Sequence, residues 1–105
     1  MQVIMPMQQE DWIKLKGIAE QWIRFDSKHS DAWYFLGLAE LKMKNYSQAI
    51  EHLKQAYDLN KRHLDSLLEL FNIAKAQDYQ AELDWTLRRM KEIDSDFVKY
   101  NLNIS

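Results

Sequence analysis

Three histidines, His29, His52 and His63, are the side chains here best suited to metal binding or proton transfer. They are separated by 23 and 11 residues, and no Glu-containing metal motif surrounds any of them. His29 and His63 stand 34 residues apart, in matching inter-helix turns, and are read as surface residues on one edge. His52 falls inside a helix beside Glu51 and is expected to face solvent. Cysteine is absent, which excludes thiol chemistry and disulfides. Glu10 and Asp11 belong to a first helical turn, where negative charge is favourable in any case. Glu82 and Asp84 do not share a helix face, and Asp84 is expected to pair with Arg88 at i,i+4. No Gly-rich phosphate loop occurs. The basic cluster Arg88, Arg89 and Lys91 is surrounded by Asp84, Glu92 and Asp94 and lacks interleaved aromatics, which argues against nucleic acid. No catalytic residue, metal site or cofactor is assigned, and the chain is not read as an enzyme.

The elements carrying these residues follow from composition and periodicity. The 105 residues suffice for one domain. With 47% hydrophobic and 29% charged residues, the chain can build a core. Two glycines and one proline are too few breaks for a sheet protein of this length. The net charge of -2, with signs interspersed, gives no basic surface. Residues 1–7 lack the basic and apolar regions of a signal peptide and are expected to form a flexible N-terminus. No stretch has the roughly 18 apolar residues of a membrane span. A cytoplasmic location without membrane insertion is therefore expected.

A helical period holds almost throughout. The first helix runs from about Gln8 to Phe25, with Trp12, Leu15, Ile18, Ala19, Trp22, Ile23 and Phe25 on its apolar stripe. Ser30 is the candidate cap of the second, which stops near Lys44-Asn45. Asn45, followed by Gln48, caps a third that ends near Asn60-Lys61. The fourth spans about Leu64 to Ala76. A fifth begins near Asp78 and ends at Asp94-Ser95. Short connections make consecutive helices antiparallel neighbours.

These helices repeat. Trp33, Leu36, Gly37, Ala49, Leu53, Ala56, Leu59 and Asn60 reappear 34 residues on as Leu67, Leu70, Phe71, Leu83, Leu87, Met90, Ile93 and Asp94. The same shift backwards gives Leu15, Ala19, Trp22, Phe25 and Asp26, with no gap in either direction. Residues 30–63 resemble the tetratricopeptide repeat, with Trp33-x2-Leu36-Gly37, Tyr46, Ala49, Leu53, Ala56, Tyr57 and Leu59 at its motif positions. Residues 64–97 keep the register less completely, and residues 8–27 resemble only the second half of a unit. About two and a half repeats are covered.

The resemblance implies an all-α fold of antiparallel helical hairpins, about five helices stacked as a short right-handed solenoid. The domain spans residues 8–95, followed by a tail or partial capping helix over 96–105. Gly37 permits close approach within its unit, and Phe71 at the equivalent position must either push the fourth helix outward or fill a gap. Glu40 stands where the family has a large aromatic, and Leu41 is expected to take that core role. Trp12 and Trp22 are expected to cap the second helix.

By the same resemblance, the first helix of each unit lines a concave groove. Its positions are Asp31, Tyr34, Phe35, Leu38, Leu41 and Lys42, then Asp65, Leu68, Glu69, Asn72, Lys75 and Ala76. The clamp of lysine, asparagine and arginine that some relatives use for acidic tails is not reproduced, because Leu38 stands at the first asparagine position and Asp65 and Glu69 stand at basic positions. The implied function is a protein-interaction adaptor or scaffold that binds a peptide or amphipathic helix of a partner. A small secretion or assembly chaperone and a homo-oligomerising module are the alternatives. For a homodimer, Phe97, Tyr100 and Leu102 form the candidate self-association edge, which Ile104 extends.

Overall fold

The computed structural model describes residues 9–102. The readings of residues 1–8 and of Ile104 lie outside them. Six helices occur among the described residues: α1 (Gln9–Phe25), α2 (Ser30–Lys42), α3 (Tyr46–Leu59), α4 (Leu64–Gln77), α5 (Gln80–Ile93) and α6 (Ser95–Asn101). Each packs on the next, and α2 also touches α4. The helical hairpins α2–α3 and α4–α5 therefore stack side by side, with α1 before them and α6 after. The shape, 41 × 41 × 22 Å, is a slab. Its thickness matches two layers of helices about 10 Å apart. No helix among the described residues is long and apolar enough to cross a membrane.

The 34-residue period is visible in the turns. Asp26 Oδ1 accepts a hydrogen bond from the Lys28 amide at 3.1 Å, and Asn60 Oδ1 accepts one from the Arg62 amide at 3.0 Å. Both are Asx turns, in which a short polar side chain holds the backbone two residues ahead. At the third equivalent position, Asp94 Oδ1 instead accepts from the Phe97 amide at 3.0 Å. That is an N-cap, so α6 starts directly at Ser95, without the turn that precedes α4.

Two expected caps are corrected. His29, not Ser30, is the N-cap of α2, and Ser30 is already helical. Asn45 does precede α3, but its side chain makes no capping bond. Asp84 is not paired with Arg88; its carboxylate accepts from Gln80 Nε2 at 3.1 Å. Residues Lys44 and Asp78 leave α2 and α4 in the left-handed region, with φ of 65° and 59°.

Leu53, Leu67, Ile73, Met90 and Val98 are fully buried. A Cβ at Gly37 would lie 2.7 Å from Leu53 Cγ and 3.2 Å from the Ala49 carbonyl oxygen, so glycine permits the α2–α3 approach. Phe71 is buried at the equivalent site of α4. Opposite it, Leu83 and Leu87 are only partly buried, whereas their counterparts Ala49 and Leu53 are fully so. A phenyl ring thus occupies the space that close helix contact would have used.

Glu40 is the main departure from expectation. Leu41 does pack against the core, half-buried, yet Glu40 beside it is itself only 1% exposed. His52 Nδ1 lies 2.5 Å from Glu40 Oε1, and Lys16 Nζ lies 3.8 Å from Oε2. His52 therefore turns inward, against the solvent-facing orientation expected for it.

Candidate functional site

Helices α2 and α4 carry the positions that the family resemblance assigns to a groove. At its rim, Asp31 is exposed, and its Oδ1 accepts from His63 Nε2 at 2.8 Å. The other ring nitrogen of His63 accepts from the Ser66 amide at 3.2 Å and from the Ser66 hydroxyl at 2.8 Å, capping α4. His63 is thus buried and fully hydrogen-bonded, contrary to its reading as a surface residue. One turn along α2, the Tyr34 ring lies 5.2 Å from the His63 ring. The Asp31–His63 bond therefore ties the start of α2 to the N-cap of α4.

Tyr34, Leu38, Leu68 and Glu69 are half-buried, while Lys42, Asp65, Asn72, Lys75 and Ala76 are exposed. Burial pushes the Tyr34 phenol up to about 12, and the carboxylates of Glu69, Asp65 and Asp31 add to the rise. Burial also raises Glu69, as does Asp65, while Lys42 and a hydrogen bond from Asn72 pull it down. These shifts place Tyr34, Glu69, Asp65, Asp31, Lys42 and Asn72 in one electrostatic neighbourhood, in which a phenol sits among three carboxylates. Such a surface disfavours further negative charge.

Other positions that the resemblance assigns to the groove are spent elsewhere. Phe35 stacks on Trp22 of α1 at 6.3 Å, and Leu41, with parts of Tyr34 and Leu68, packs against the main core. Trp22 and Trp12 do cap α2: Trp22 also meets the His29 ring at 4.6 Å, and Lys42 Nζ sits 5.8 Å from the Trp12 ring. At the C-terminal edge, Phe97 and Leu102 turn onto the core and Val98 is buried, while Tyr100 is 75% exposed.

Trp85 escaped the sequence reading. Its ring meets Tyr57 edge-on at 5.5 Å, and Lys54 and Arg89 flank it. Lys54 also binds Glu82 at 2.9 Å. Position 85 corresponds to Glu51 in the preceding unit, so the repeat gave no signal there. The residue type did, since tryptophan is seldom left fully exposed. An open cleft of about 550 Å³ lies nearby, lined by Ser47, Ile50, Tyr79, Gln80, Ala81 and Glu82.

Among the described residues, no group of three or more His, Asp or Glu side chains is placed to hold a metal ion. The family model of the tetratricopeptide repeat matches residues 30–63, the unit built from α2 and α3. No curated protein matches the chain.

Proposed function

We infer that the chain is an adaptor whose α2–α4 face holds a segment of a partner protein, because residues 30–63 match the family model of the tetratricopeptide repeat, a protein-interaction module. The single observation carrying this reading is the family match on the unit that supplies α2. The half-buried side chains of Tyr34, Leu38 and Leu68 supply apolar contact for a helix or an extended peptide. Asp31, Asp65 and Glu69 make an acidic peptide a poor occupant, since it would meet like charge.

A comparative capture tests the reading. The wild-type chain and a Tyr34→Ala/Leu38→Glu variant, shown by circular dichroism to be folded, are immobilised and exposed to lysate of the native organism. A protein retained by the first and lost by the second is the expected result. Identical retention by both removes the groove from consideration.

A further inference from the structure

Among the described residues, Glu40, Glu69 and Glu82 are the glutamates withdrawn at least partly from solvent. Two of them have cationic partners on a neighbouring helix. Glu40 is held by His52 and Lys16, and Glu82 pairs with Lys54 at 2.9 Å. Glu69 takes part in no ion pair among the described residues. Its carboxylate accepts a hydrogen bond from the Asn72 side chain, an uncharged donor that leaves the negative charge in place. Lys42 acts on it from beyond ion-pair distance, and Asp65, one turn back on α4, adds a like charge at i,i+4. The helix dipole does not account for Glu69 either. Asp31 and Asp65 stand in first turns, where negative charge is favourable, but Glu69 lies in the second turn of α4.

Asp65, Leu68, Glu69 and Asn72 follow one another at i, i+3, i+4 and i+7, so they share one face of α4. Tyr34 and Leu38 share a face of α2, which touches α4, and the Glu69 carboxylate acts on the Tyr34 phenol. An unrelieved carboxylate therefore borders the half-buried side chains of Tyr34, Leu38 and Leu68. The fold keeps this charge at a cost to its own stability, the pattern of a group retained for binding.

Resting on the reading of the α2–α4 face as the binding face, we propose that Glu69, with Asp65, takes a lysine or arginine side chain of the partner segment, whose adjoining apolar side chains lie on Tyr34, Leu38 and Leu68. Charge complementarity selects this occupant. A cation placed there relieves both the burial of Glu69 and its repulsion by Asp65. Residues 1–8 and 103–105 contain no lysine or arginine, so these stretches of the chain do not supply the side chain. A second copy would bring a net charge of -2 to a face that already carries Asp31, Asp65 and Glu69.

The probe is a random peptide library displayed on phage. It is selected on the immobilised wild-type chain, with the folded Tyr34→Ala/Leu38→Glu variant as counter-target, and enriched peptides are then synthesised and titrated. Peptides that bind the wild type alone are expected to carry lysine or arginine beside apolar residues. Glu69→Gln should weaken them by about tenfold. The same substitution should raise the melting temperature at neutral pH, so the weaker binding is not loss of fold. Peptides that need Tyr34 and Leu38 but lack basic residues, or that ignore Glu69→Gln, would overturn this proposal while leaving the binding face in place. Peptides that bind both chains equally, or no enrichment, would remove the binding face and the proposal with it. A dimer in sedimentation that Glu69→Gln dissociates would also overturn it, by putting a second copy's cation on Glu69.

Discussion

Glu40 of α2 and His52 of α3 are joined at 2.5 Å inside the hairpin that the family pattern reserves for apolar packing. The carboxylate is buried, the imidazole only three-quarters so, and Lys16 reaches the second oxygen from α1. One charged side chain thereby ties three consecutive helices together. A buried carboxylate is tolerated only while its partners remain.

Removing a partner should therefore hurt more than removing the charge. His52→Ala leaves Glu40 with Lys16 alone and should cost on the order of 3 kcal/mol. Glu40→Met, which fills similar volume without charge, should be close to neutral. Urea unfolding of both variants checks the order; a more damaging Glu40→Met would show that the ion pair contributes net stability.

Gly37→Ala brings a methyl group within 2.7 Å of Leu53 Cγ. Overpacking of this kind costs about 1–3 kcal/mol, against roughly 1 kcal/mol gained in helix propensity. A net loss is expected in thermal melts, with partial recovery when Leu53→Val is added. Stabilisation by the single change would mean that the seam yields easily.

The raised Glu69 and Tyr34 groups set the pH response. Each keeps its proton to higher pH in the folded chain than in the unfolded one, so stability falls as pH rises through each window. For Tyr34 that window runs from 10.0 to about 12. Glu69→Gln should raise the melting temperature at neutral pH, with the gain disappearing in acid, where the carboxyl is protonated in both states. Tyr34→Phe should flatten the alkaline fall. Melting temperatures across the pH range, with phenolate absorbance at the alkaline end, test both signs.

Asp94 caps α6 through the Phe97 amide. Asp94→Ala should cost about 1 kcal/mol. Hydrogen exchange should locate the effect in α6, leaving α2 and α3 protected. Loss of protection throughout the chain would show that α6 holds the whole stack.

The first five helices, their antiparallel order and the 34-residue period are properties of the sequence by itself. Apolar spacing and turn residues are local signals, and two matching Asx turns at Asp26 and Asn60 carry them into the structure. The close approach at Gly37 was legible for the same reason, since only a missing side chain permits it. Tertiary structure decided the rest. Glu40 with His52, and His63 with Asp31, join residues 12 and 32 apart on different helices, and periodicity within one helix carries no information about such pairs. Trp85 lies off the repeat register, and α6 starts early because Asp94 caps where its counterparts turn. The repeat placed Phe35 among candidate groove residues, but its stacking on Trp22 depended on where α1 came to rest. The exposure of Ile18 and Phe25 among the described residues is likewise a fact of assembly: an apolar face has the same pattern whether or not another helix covers it.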